Sequence, residues 1–151
     1  MNTRTWLAIR TVLTLIVLAG LALDAYVHFD LAWAYAAVKT STLSGSDMFR
    51  FEGALAILAA LLLAIRPHRY TVGFAFLVTA GGAAAVLVYR YVNVGGFGPV
   101  PNMYEPNWYG EKTLSAWAEG IGALAALALL VALILRARSS NAVTPRRAAR
   151  V

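Results

Sequence analysis

Six ionisable side chains interrupt otherwise apolar runs: Asp24, His28, Arg50, Glu52, Arg90 and Glu119. Asp24 and His28 are four residues apart, so on a helix they share one face, whereas Arg50 and Glu52 point in different directions. A carboxylate/imidazole pair joined by carboxylates from other helices is what a divalent-metal or proton site in a bundle core needs. On that reading the metal candidates are Asp24, His28, Glu52 and Glu119. Two features oppose it: one usable histidine is few for zinc, iron or copper, and the two arginines would repel a cation. A second reading is an interhelical ion-pair network, with Asp24, Glu52 and Glu119 set against Arg50, Arg90 and Lys112. A third is a cavity for a lipid or small apolar ligand beneath an outer loop. No motif specifies a reaction, so no catalytic residue and no cofactor is expected.

The elements that must carry these residues are membrane helices. Of the 151 residues, 60% are hydrophobic and 13% charged, far more apolar than a soluble domain. Four segments approach or exceed the ~20 residues needed to cross a hydrocarbon core. The spacing and breakers predict helices over about 6–38, 48–65, 70–92 and 113–135, forming one four-helix domain over 1–138. The basic stretch 139–151 is expected to be disordered. The chain has no cysteine, which excludes thiol–disulfide chemistry and thiolate metal sites. The net charge of +6 does not imply nucleic acid, because the basic residues gather at helix ends and in the tail.

Taken in order, Met1 to Leu23 has the layout of a signal peptide, but the helical pattern continues through Asp24, His28 and Trp33 and three more spans follow. Asp47 or Ser46 is the expected N-cap of the second helix. Pro67 ends that helix, and His68 is expected as a solvated turn residue. Gly81, Gly82, Gly120, Gly122 and Ala126 supply small faces that let neighbouring helices approach in lipid. The stretch 93–112 holds Pro99, Pro101 and Pro106, which forbid a continuous helix. With Tyr104, Glu105, Trp108 and Lys112 it is expected to form an ordered outer cap, its aromatic rings suited to a membrane–water boundary.

Charge sets the orientation. With both termini and the 66–69 turn on one side, that side holds nine of the 13 basic residues and none of the seven acidic ones. The positive-inside rule then puts both termini in the cytoplasm of a bacterial inner (plasma) membrane. At ~1.5 Å per residue from the inner arginines, Asp24 and Glu52 lie ~21 Å deep, with Arg50 and Glu119 at ~24–25 Å. His28 follows at ~27 Å and Arg90 at ~31 Å. All six therefore fall in the outer part of the bilayer, and Glu119 is expected to be held by Arg50 or Arg90.

The Asp24-Ala-Tyr-Val-His28 stretch, the Ser44-Gly-Ser-Asp-Met-Phe49 start of the second helix and the Gly98-Pro-Val-Pro-Asn-Met-Tyr-Glu-Pro106 loop form a pattern with Trp108, Glu111-Lys112 and Glu119. This pattern resembles a group of small, uncharacterised four-helix integral membrane proteins of actinobacteria, over residues 10–136. In size and helix count the chain is also similar to DoxX-like four-helix proteins. Neither resemblance implies an activity. The sequence leads to an all-α membrane protein, an up-down bundle of four transmembrane helices with an outer loop between helices three and four. The expected role is a non-catalytic accessory or ligand-binding component of the cell envelope; the alternative is a membrane enzyme or transporter subunit that uses Asp24, His28, Glu52 and Glu119 for metal or proton chemistry. Its expected partners are membrane lipids and a further envelope membrane protein.

Overall fold

A computed structural model describes residues 2–142 of the chain. Helix α1 spans Thr3–Leu31 and tightens into a 3₁₀ turn over Ala32–Tyr35. Helices α2 (Gly45–Ile65), α3 (Arg69–Tyr91) and α4 (Gly110–Ala142) follow. All four are long and apolar enough to cross a membrane. Large apolar side chains such as Leu15, Leu61, Leu77 and Leu124 face outward from every helix. Helices apolar on their outer as well as inner faces suit lipid rather than water.

The helix ends differ from the expected ones for identifiable local reasons. The first helix stops at Leu31 rather than 38, because the 3₁₀ turn and the Val38 N–H to Tyr35 carbonyl bond (3.2 Å) curl the chain over. The second starts three residues early. Ser44, not Ser46 or Asp47, is its N-cap: Ser44 Oγ accepts from the Asp47 N–H (3.1 Å), and Asp47 Oδ2 accepts from the Ser44 N–H (3.0 Å). His68 is likewise a cap and not merely a solvated turn residue, its Nδ1 accepting from the Thr71 N–H at 3.2 Å. Helix α4 runs past 135 to Ala142, so residues 139–142 of the expected tail are helical. The rest of that tail, with Arg146 and Arg147, lies outside the described residues.

Helix α1 packs between α2 and α4, and α3 also lies against both. Val17, Leu21, Ala56, Ala59, Leu63, Val72, Ala75, Ala126 and Leu129 form the buried core. At one end of the bundle, Arg10 donates to the Pro67 carbonyl (2.9 Å), and the Arg136 guanidinium sits 4.6 Å from the centre of the Trp6 ring. At the other end, the Glu105 N–H donates to the Tyr89 carbonyl (3.0 Å), and the Thr40 hydroxyl to the Pro99 carbonyl (2.9 Å). These two bonds fasten the 92–109 segment to the end of α3 and to the α1–α2 link. A turn closed by paired Phe97 and Val100 backbone bonds shapes the segment, with Gly98 at φ +56°.

One crossing sets the spacing of three helices. A Cβ on Gly20 would lie 2.8 Å from the Ala118 carbonyl oxygen and 3.3 Å from the Gly122 Cα. A Cβ on Gly122 would lie 3.2 Å from the Thr79 methyl group. Helices α1, α4 and α3 therefore meet where two of them carry no side chain. Gly81 and Gly120, expected on the same kind of face, have nothing within 4 Å of such a Cβ and look into open space.

Candidate functional site

Asp24 follows Gly20 by one helical turn, and Glu119 is the residue after Ala118. The close crossing of α1 and α4 thus brings these two carboxylates together. Both are fully buried. His28, whose side chain is 11% exposed, completes a group in which one ligand atom from each residue lies within 4.8 Å of the others.

His28 Nδ1 is 2.7 Å from Asp24 Oδ1 and 3.0 Å from the Asp24 carbonyl oxygen. With two oxygens as neighbours, Nδ1 is the nitrogen that carries hydrogen. The Ser115 hydroxyl, one turn before Glu119, donates to Glu119 Oε1 at 2.9 Å. Asp24 Oδ2 and Glu119 Oε2 have no hydrogen-bond partner. Across from them α3 presents Gly82, where a Cβ would come within 2.7 Å of Glu119 Oε1 and 2.8 Å of its Cδ. A glycine at 82 is what makes room for this carboxylate.

The group stands beside a cavity of about 170 Å³ bounded by all four helices and the 92–109 segment. His28, Glu52, Gly82 and Ser115 line it on the side of the carboxylates. Phe49 walls it from α2, stacked on Tyr35 at 4.3 Å and tilted against His28 at 5.1 Å between ring centres. Met103, Glu105 and Tyr109 close it from the segment above. Tyr35 and Tyr109 share a 2.7 Å hydrogen bond between their hydroxyls, linking the end of α1 to the last residue of the cap. Burial, followed by that hydrogen bond, raises the Tyr109 pKa above its usual value of 10.0.

The structure unites Asp24, His28 and Glu119 and sets Glu52 on the same cavity. It does not bring the arginines to them. Arg50 is exposed, pointing away from Glu52 as helix geometry requires. Arg90 reaches toward the cap instead of the bundle interior, with its guanidinium 5.0 Å from the Tyr91 ring centre and 5.7 Å from that of Trp108. Lys112 is buried and donates to the Glu105 carbonyl. Among the described residues no cation of Arg50, Arg90 or Lys112 lies within ion-pair distance of Glu119, so the expected Glu119–arginine pair is replaced by Ser115, Asp24 and His28. Tyr104 and Trp108 remain exposed on the cap.

Sequence reasoning missed Tyr35, Tyr109, Ser115 and the specific task of Gly82. Ser115 had a usable signal, since it stands four residues before Glu119 on the same helix face. Nothing local pairs Tyr35 with Tyr109. No family model, curated protein or solved structure matches this chain.

Proposed function

We propose that the protein is a multi-pass component of the bacterial plasma membrane whose capped cavity binds a small ligand at the outer face, without catalysing a reaction on it. In this reading the four helices run up and down, both termini are cytoplasmic, and the 92–109 segment is an ordered extracytoplasmic cap. Two observations support the topology. Arg10, the 66–68 turn and Arg136 gather at one end of the bundle, and that end carries the positive excess. The cap, with Glu105, and the first turn of α4, with Glu111, belong to the opposite end.

The observation that carries the binding role is the cavity itself. It is walled mainly by apolar side chains, with a few converging polar groups and a roof tied by the Tyr35–Tyr109 bond. Such a space suits a small amphiphile, including the headgroup region of a lipid, with its polar part toward His28 and Glu52. Membrane lipids are thus the first partners proposed, with a second envelope membrane protein as a further one.

Two measurements test the reading. Reporter fusions at Val151 should be active only as cytoplasmic reporters, and periplasmic activity refutes the topology. Native mass spectrometry of the detergent-purified protein should show a co-purifying small molecule. Gly81→Phe should lose it, because a side chain there enters open space beside the cavity and fills it. A parent protein with no adduct, or an adduct unchanged by Gly81→Phe, refutes the cavity as the binding site.

A further inference from the structure

We propose that Asp24, His28 and Glu119 hold one divalent transition-metal cation at the floor of the cavity. This deepens the reading of the cavity as a binding site and rests on it only for the ligand that would complete the metal's shell.

The charges at this floor are unbalanced. Two carboxylates are fully buried side by side, and Asp24 Oδ2 and Glu119 Oε2 meet no donor. A buried carboxylate without a partner is costly, and two in contact are more so. Arg50 faces outward, Arg90 lies over Tyr91 and Trp108, and the Lys112 amine is bonded to Glu105, so the one group left to offset them is His28, 2.7 Å from Asp24 Oδ1, which can supply a single positive charge against two carboxylates. A single dication matches two carboxylates and a neutral imidazole in charge.

Geometry agrees. With metal–ligand bonds of about 2.1 Å, neighbouring donors in a shell stand ~3–4 Å apart. One ligand atom from each of the three residues lies within 4.8 Å of the others, so side-chain rotations bring them to shell spacing, with His28 ligating through a ring nitrogen that carries no hydrogen. Glu119 is free to make that adjustment because Gly82 offers no side chain against it, and Ser115 holds the oxygen that faces it. Glu52 and the cavity lie on the open side, where a fourth donor or a bound ligand would enter.

The donor set selects the class of ion. One nitrogen with carboxylate oxygens suits Zn(II), Mn(II) or Fe(II), whereas Ca(II) and Mg(II) favour all-oxygen shells of six or more. The absence of cysteine removes the thiolates that favour Cu(I). The close crossing at Gly20 and Gly122 makes the site rigid on two of its sides.

The test uses the full chain in detergent, stripped of metal and titrated with Co(II) as an optical probe, with elemental analysis of untreated protein alongside. The expected result is one Co(II) per chain, with ligand-field bands of a mixed nitrogen/oxygen shell. Asp24→Asn and Glu119→Gln should each bind about a hundredfold more weakly or worse. Arg50→Gln should bind like the parent. Gly81→Phe should keep the metal while losing any organic adduct, so the metal site and the ligand cavity fail separately. A parent that takes up no Co(II) overturns the proposal, as does undiminished binding in both carboxylate variants. Should a carboxylate variant not fold, the parent's titration and bands decide.

Discussion

Alanine placed at two different glycines should move stability in opposite directions. In a helix interior, glycine to alanine is worth about 1 kcal/mol in favour of the helix. Gly120→Ala should realise that gain, because nothing lies within 4 Å of the added Cβ. At Gly20 the same methyl group would sit 2.8 Å from a backbone oxygen and 3.3 Å from a backbone Cα. Neither atom can rotate away, so α1 and α4 must separate. Overpacking of this kind costs about 1–3 kcal/mol. The steric loss therefore cancels or exceeds the helical gain, and the two variants should differ by about 1–3 kcal/mol, with Gly20→Ala the less stable. Reversible unfolding in mixed micelles, followed by far-UV circular dichroism, measures the difference. Separating α1 from α4 also parts Asp24 from Glu119, so Co(II) affinity should fall in Gly20→Ala and stay unchanged in Gly120→Ala. Equal stabilisation by the two substitutions would refute the close crossing and, with it, the account of how the carboxylates meet.

Two further outcomes follow from the site and the cap. A double-mutant cycle of Arg50→Gln with Glu119→Gln should be additive within about 0.5 kcal/mol, as expected for groups that share no partner; a coupling above about 1 kcal/mol would place the arginine at the carboxylate after all. For Tyr109, a raised pKa means that the folded state prefers the neutral phenol. Its contribution is complete below the usual value of 10.0 and is lost as pH climbs beyond it. The melting temperature should therefore fall as pH rises above about 10, and Tyr109→Phe should flatten part of that fall. Identical slopes for parent and variant would show that the hydroxyl bond to Tyr35 does not hold the cap.

The four helices were legible because a long apolar run has few other folds available to it. Their ends were less so. Ser44, Ser46 and Asp47 are all good N-cap types within four residues, and the reciprocal Ser44–Asp47 bonding is decided by backbone geometry. The grouping of Asp24 and His28 followed from helical spacing, and similar depth brought Glu119 to the same level. What depth cannot supply is rotation about the helix axis. Arg50 stands at nearly the estimated height of Glu119, yet it faces outward, while Glu52 two residues on faces the cavity. The same limit applies to glycines: Gly81 and Gly82 are neighbours in sequence, but only Gly82 meets another helix.

Polarity is distributed unevenly along the bundle. Among the described residues, the buried polar ones are Asp24, Ser46, Thr79, Lys112, Ser115 and Glu119, all from the level of the three-helix crossing toward the capped end. Below that level Val17, Leu21, Leu63, Val72 and Leu129 fill the interior, and the one hydroxyl buried there without a partner is that of Thr14. An ion or proton entering from the cavity would meet a stopper of hydrocarbon with no chain of groups to carry it onward. In the membrane-spanning reading proposed above, this apolar layer closes the inner side of the cavity to ions.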